Sequence, residues 1–115
     1  MISVTLRRDS TGFVREFKVE GHAGYAKKGN DDIVCSAISV LAYTAVGALS
    51  DLAGANPDWT ERDGHMECLV PDPEKLPTVA SGMARTILDT FALGCRQVEG
   101  SYGRKYVRVT DASLD

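Results

Sequence analysis

The apolar residues of this chain change their spacing at about residue 33, and that change predicts a sheet that carries helices. Before that point apolar residues fall at every second position, which is typical of strands with one buried face. From Ile33 to about Ala53 they recur every three or four positions, which is typical of an amphipathic helix. The same two spacings then follow once more toward the C-terminus, so strands and helices are predicted to share one chain.

Two strands are predicted before the first helix. The range Ile2–Leu6 alternates apolar and polar residues, and a turn-forming run of Asp-Ser-Thr-Gly at 9–12 follows it. The range Phe13–Glu20 alternates again and ends at Gly21. We therefore expect the second strand to pair back on the first as a hairpin.

The second half of the chain predicts another hairpin, helix and strand. The elements are expected at Trp59–Arg62, at His65–Val70, from Pro73 or Thr78 to Val98, and at Tyr106–Thr110 before a polar tail. Asp63 and Gly64 join the hairpin because Asp-Gly tolerates the positive φ angles of a tight turn. The order ββαββαβ predicts an α+β fold with a mostly antiparallel sheet and two helices. A length of 115 residues predicts a single domain over 1–115.

Charge and composition exclude several classes of protein. The net charge of -3 argues against binding nucleic acid directly through the overall field. No apolar run is expected to approach the ~20 residues of a membrane span, and the N-terminus lacks a signal-peptide layout. We therefore expect a cytoplasmic protein without a membrane partner. Three cysteines without a Cys-x-x-Cys pair favour neither a disulfide framework nor a zinc site.

The segment from Gly21 to Ser39 holds one of the two histidines and one of the three cysteines. Cys35 is predicted in the first helical turn, where unpaired N–H groups and the positive end of the helix favour a thiolate. His22 lies where the second strand ends. The polar, glycine-containing segment between them is predicted to be mobile and able to close over a substrate. This pattern suggests a nucleophile and a base.

Each of these residues also has a structural interpretation. A cysteine on an amphipathic helix is commonly a core residue, and a histidine after a strand is commonly a solvated loop residue. Asp31 or Asp32 is expected to cap the helix, although either could instead orient His22 as the third group of a triad. The residues by themselves leave both interpretations open.

The remaining candidate residues are assigned by their positions. Cys68 on a strand and Cys95 on a helix are predicted to be buried and structural. His65, near the hairpin tip, is predicted to be exposed. Ser39 lies one helical turn after Cys35, so it could hydrogen-bond the nucleophile or the substrate, or only fill space near the sheet.

A set of short motifs resembles the signature of the ribosomal-processing cysteine protease Prp family, the YsxB-like proteins. The motifs are Gly21-His22-Ala23, Gly29, Asp32-Ile33-Val34-Cys35 and Ser39. The order of predicted strands and helices is also similar along the whole chain. The sequence departs from the family pattern at 30–32, which carries one Asp more, and at Ser36, where the family more often has Ala.

The resemblance implies a cysteine endopeptidase that removes a short N-terminal extension from a protein of the large ribosomal subunit, after a hydrophobic, aromatic-containing motif. Cys35 and His22 would form the catalytic dyad, and N–H groups at the helix start would stabilise the oxyanion. Supporting or substrate-binding roles would fall to Gly21, Gly29, Asp32 and Ser39. No metal or cofactor is implied, and the family resemblance implies a homodimer.

Two other classes of function remain open at this point. A non-catalytic ribosome-assembly protein of the same fold would bind the ribosomal protein without cutting it. A thiol redox sensor would need a resolving cysteine near Cys35, and nothing in the sequence places Cys68 or Cys95 there.

Overall fold

The computed structural model describes residues 1–27 and 29–114, over which the chain forms five strands and two α-helices. The elements in chain order are β1 (Ile2–Arg8), β2 (Val14–Gly21), α1 (Ile33–Asp51), β3 (Asp58–Arg62), β4 (His65–Leu69), α2 (Thr78–Tyr102) and β5 (Val107–Ser113). The predicted order ββαββαβ and the α+β class are confirmed.

The strands form one sheet in the order β3-β4-β2-β1-β5. Neighbouring strands are antiparallel except β1 and β5, which run parallel. A parallel pair needs a long crossover connection, which here contains α2. The sheet is therefore mixed but mostly antiparallel, with β2 at its centre and β3, whose residues are all classed as exposed, at one edge.

One face of the sheet is apolar and carries both helices. The alternating residues Ile2, Val4 and Leu6 of β1 are at most 3% exposed. They join one core cluster with the buried stripes of α1 and α2. The rings of Phe17 on β2 and Phe91 on α2 lie 4.4 Å apart within this core. The packing of α1 against the sheet fixes where the start of that helix lies relative to the strand ends.

Several element ends differ from their predicted positions. The second helix begins at Thr78 because 73–75 form a separate 3-10 helix, and it continues past Val98 to Tyr102. The last strand runs to Ser113, so most of the predicted polar tail is strand. An exposed edge strand accepts polar residues there, and Asp111 accepts a hydrogen bond from Arg8 at 2.9 Å.

The expectation that no segment is apolar enough to span a membrane is wrong for α1. With a mean hydropathy of 1.9, α1 has the length and composition of a membrane-crossing helix. However, Val34, Ile38 and Leu49 on one stripe of α1 are buried in the core, and the helix also packs against α2. That packing is typical of the core helix of a globular protein. Such a core helix can have the same length and apolar composition as a helix that crosses a membrane.

Candidate active site

His22 lies at the point where β2 leaves the sheet, beside the turn between β3 and β4. The N–H of Gly21 donates to the carbonyl oxygen of Gly64 at 2.8 Å, which continues the pairing of β2 with β4. Gly21 has a φ of +92°, and a Cβ on it would collide with the carbonyl oxygen of Met1. Glycine is therefore required immediately before His22.

Cys35 lies in the first turn of α1, as predicted, and is half-buried. Its Sγ accepts a hydrogen bond from the backbone N–H of Ala23 at 3.3 Å. Ala23 directly follows His22 and is only 3% exposed, so a packed residue makes this contact. The segment that carries His22 and the start of α1 therefore meet at the thiol.

Asp32 is the N-cap of α1, and its carboxylate also binds the preceding segment. Oδ1 accepts hydrogen bonds from the N–H groups of Val34 and Cys35, both at 3.0 Å. Oδ2 accepts from Tyr25 at 2.9 Å and Ala26 at 3.1 Å. Desolvation raises the pKa of Asp32, but the four hydrogen bonds together lower the pKa further, to below its ordinary value.

This geometry decides between the two candidate caps. Asp32 caps the helix, and in the described part of the chain neither Asp31 nor Asp32 is hydrogen-bonded to the side chain of His22. The same cap occupies several of the N–H groups at the helix start that are expected to stabilise an oxyanion, and that role stays a prediction. The amides of Val34 and Cys35 donate to the Asp32 carboxylate, and the amide of Ser36 donates to the Asp32 carbonyl at 3.0 Å.

Substitution of Asp32 should separate its two roles, because Asn can replace only one of its acceptor oxygens. In Asp32→Asn the amide oxygen can still accept from Val34 and Cys35, while the NH₂ group cannot accept from Tyr25 and Ala26. We expect Asp32→Ala to lose about 1 kcal/mol of unfolding free energy through the missing cap, and Asp32→Asn to lose less. Both variants should show faster hydrogen exchange at Tyr25 and Ala26, measured by mass spectrometry or NMR.

The same carboxylate predicts a pH dependence of stability. Because the pKa of folded Asp32 lies below the ordinary 3.8, its contribution is complete above that value and is lost as the pH falls through the lowered pKa. The difference in unfolding free energy between the wild type and Asp32→Ala should therefore shrink in acid. A difference that stays constant from neutral pH to well below 3.8 would contradict this role.

His22 and Cys35 line one cavity of about 240 Å³, which we call the cleft. One wall is a face of α1, which presents Cys35, Ser39 and Tyr43 at successive turns. The opposite wall consists of the end of β2 and the turn between β3 and β4. The hydroxyl of Tyr43 donates to the carboxylate of Glu61, which links the two walls and raises the pKa of Tyr43.

Ser39 is exposed in the cleft, one turn from Cys35, as its spacing predicted. Among the described residues its hydroxyl makes no hydrogen bond to Cys35, and its contact with a substrate stays a prediction. Gly29 lies in the segment between His22 and Cys35 and has a φ of +90°, with open space around it.

The other two cysteines are buried, which confirms their prediction as core residues. Cys68 and Cys95 are each 0% exposed, and burial raises the pKa of each thiol to about 12. Of the three cysteines, all of which lie in the described residues, Cys35 is the one that lines the cleft.

His65 was predicted to be exposed, and that prediction is wrong. Its side chain is only 25% exposed, lies 3.8 Å from carboxylate oxygens of both Glu20 and Glu67, and lines the cleft. The sequence does not reveal this because the pairing of β4 with β2, which places His65 opposite Glu20, joins distant parts of the chain. The local sequence feature that bears on the position of His65 is the Asp-Gly turn before it, because that turn places His65 at the start of a strand.

The segment between His22 and Cys35 is anchored in its first half. The ring of Tyr25 packs edge-on against Tyr102 and Tyr106, with centroids 5.3 and 5.1 Å away. The Asp32 carboxylate holds the backbone at the same place. Lys28, which also belongs to this segment, lies outside the described residues. Mobility of the segment stays a prediction, and these contacts are the ones that must break before it can move.

The cleft contains a thiol, two imidazoles, the hydroxyls of Ser39 and Tyr43 and the charged side chains of Glu61, Arg62 and Asp63. Over 1–27 and 29–114, no group of three or more His, Cys, Asp or Glu side chains is arranged to hold a metal ion. A thiol and an imidazole in one cleft are the groups that nucleophilic acyl transfer requires.

Comparison with known proteins gives consistent matches over nearly the whole chain. The family model for cysteine protease Prp matches residues 1–108. The ribosomal processing cysteine protease Prp of Bacillus subtilis strain 168 is 30% identical over 112 residues, which are 96% of this chain and 96% of that protein.

Solved structures agree with this match. The ribosomal processing protease Prp from S. aureus, in complex with a covalently linked product peptide, is 25% identical with a TM-score of 0.83, over 97% of this chain and 100% of that one. The same protease with a substrate peptide has a TM-score of 0.80, at the same identity and coverage. A protein from Streptococcus mutans is 26% identical, with a TM-score of 0.75, over 99% of this chain and 96% of that one.

Proposed function

The chain belongs to the cysteine protease Prp family, and from this premise we propose that it removes the N-terminal extension of a large-subunit ribosomal protein through a dyad of Cys35 and His22. The observation that carries the proposal is the placement of both residues in one cleft, with the thiol held by the amide that follows His22. The substrate is proposed because the B. subtilis relative is a ribosomal processing protease and the S. aureus relative binds a substrate peptide.

In the proposed reaction, the Cys35 thiolate attacks the scissile carbonyl carbon and forms a bond from Sγ to that carbon. The His22 imidazolium then donates its proton to the leaving amine as the peptide bond breaks. Neutral His22 next takes a proton from water as the water oxygen attacks the thioester carbon, and the bond from that carbon to Sγ breaks to release the second product as a carboxylic acid. Cys35 is restored as the thiolate and His22 as the imidazolium.

We assign oxyanion stabilisation in this scheme to the backbone amide of Ala23. The amides of Val34, Cys35 and Ser36 already donate to Asp32, so a substrate would have to displace Asp32 to use them. The Ala23 N–H donates to Sγ at 3.3 Å, and the carbonyl oxygen on a carbon bonded to Sγ would lie close to the same donor. Asp32 supports the site indirectly, because it fixes both the start of α1 and the segment after His22.

We also propose that the chain acts in the cytoplasm as a single protease domain that forms a homodimer, without a bound membrane, nucleic acid or cofactor. The outer faces of the two helices leave large apolar residues exposed, among them Val40 at 62% and Leu93 at 58%. Such a face is typical of a surface that a partner covers. Sedimentation velocity should give twice the mass of one chain, and a purely monomeric protein at micromolar concentration would exclude the dimer.

The function is tested by incubating the purified protein with a peptide that spans an N-terminal extension ending in an aromatic-containing motif. Mass spectrometry should find a single cut after that motif, and a scrambled peptide of the same composition should stay intact. Binding of the intact peptide without any cut would favour the non-catalytic alternative. The redox-sensor alternative is disfavoured because both other thiols are buried and resist ionisation.

A further inference from the structure

The turn between β3 and β4 approaches the imidazole of His22 more closely than a side chain would permit. A Cβ built on Gly64 would lie 2.9 Å from Nε2 of His22 and 3.4 Å from Cε1. Real Cβ atoms essentially never show the shorter of these separations, so any residue other than glycine here must displace the ring or the turn. The bare backbone of Gly64 therefore forms the surface against which the ring lies.

The same glycine is tied to the backbone that carries His22. The carbonyl oxygen of Gly64 accepts the Gly21 N–H at 2.8 Å. The turn is thereby fixed relative to the residue before His22, and it contacts the ring from one side. His22 is exposed, so the turn is a wall on one side of its imidazole and bars the ring from the space that the turn occupies.

Resting on the proposed function, we propose that Gly64 is a positioning residue, whose missing side chain sets the orientation of the His22 imidazole toward the cleft that it shares with Cys35. The requirement for glycine at position 64 is steric. It acts through the position of His22 and does not depend on contact between Gly64 and the substrate. Small displacements of a general base cost large factors in rate, so the effect on catalysis should exceed the effect on stability.

The chain offers a matched control for this proposal. Gly54 has a φ of +66°, against +68° for Gly64, and a Cβ built on Gly54 meets nothing within 4 Å. Gly54→Ala and Gly64→Ala therefore carry the same kind of backbone strain, but only the second places a methyl group against His22. Gly64→Asn adds a further test, because Asn tolerates a positive φ better than Ala while still bringing a Cβ against the ring.

The first measurement is kcat/KM for the peptide together with the pH dependence of Cys35 alkylation by iodoacetamide. We expect Gly64→Ala and Gly64→Asn to lower kcat/KM by about tenfold or more, and Gly54→Ala to stay within about twofold of the wild type. The alkylation profile of both Gly64 variants should move toward that of His22→Ala, whereas Gly54→Ala should keep the wild-type profile. Gly64 variants that match Gly54→Ala in both measurements would overturn the proposal.

The second measurement is a double-mutant cycle on thermal stability, which does not depend on activity. Removing the ring removes the clash, so Gly64→Ala should lower Tm by less in a His22→Ala background than in the wild type. An equal loss in the two backgrounds would show that the ring does not lie against the turn and would also overturn the proposal. Failure of the proposed function would look different, since the wild type would then cut no peptide while the cycle still reported the contact.

Discussion

Cys35→Ala and Cys35→Ser are expected to abolish cleavage of the peptide, with a loss of at least about 10⁴-fold in kcat, while the fold stays intact. The thiol is half-buried at the margin of the core, so removing Sγ costs the fold one hydrogen bond from Ala23 and part of the packing of one side chain. A serine hydroxyl can accept the same hydrogen bond, but it is a much weaker nucleophile than a thiolate. Peptide cleavage and circular dichroism separate the two effects.

The matched controls for Cys35 are the two buried cysteines. Cys68→Ala and Cys95→Ala should lower the free energy of unfolding by about 1 kcal/mol or more, because each removes a buried sulfur from the core. Cleavage per folded molecule should stay close to that of the wild type in both. If both Cys35 variants kept cutting the peptide, Cys35 would not be the nucleophile.

The fold could be predicted from the sequence as far as it depends on local patterns. The alternation in β1 and β2 and the helical spacing in α1 and α2 are properties of short windows, so the type and order of the elements were correct. The pairing of β5 with β1 and of β4 with β2 joins residues far apart in the chain. No local signal specifies such pairs, and the placement of Gly64 and His65 beside His22 depends on them.

The candidate site could also be predicted from the sequence as far as it depends on local features. A cysteine in a first helical turn and a histidine at a strand end are local features, and the structure brings both to one cleft. The expectation of unpaired amides at the helix start does not hold for Val34 and Cys35, because the Asp32 carboxylate binds them. The pairing of these amides could have been predicted from the N-cap assignment, because an Asp at the N-cap accepts hydrogen bonds from the same N–H groups that an oxyanion would need.

His22→Ala is expected to lower kcat by about 10²- to 10⁴-fold and to change the shape of the pH profile. In the wild type the rate should rise as the Cys35 thiolate forms and fall once His22 loses its proton, which gives a bell-shaped profile. Without the imidazole, the falling limb should disappear, and the rate should rise with pH as far as the thiol continues to ionise. The measurement is kcat/KM for the peptide across the pH range in which the folded protein is stable.

The control for His22 is the second histidine of the cleft. His65 lines the same cavity but lies between Glu20 and Glu67, on the strand beside β2, so its imidazole has carboxylate neighbours of its own. We expect His65→Ala to keep the bell-shaped profile, because removing it leaves the ring of His22 in contact with Gly64. A bell that survives in His22→Ala and vanishes in His65→Ala would transfer the role of general acid to His65. Because the dyad is defined by which imidazole exchanges protons with Cys35, this pair of variants tests its identity directly.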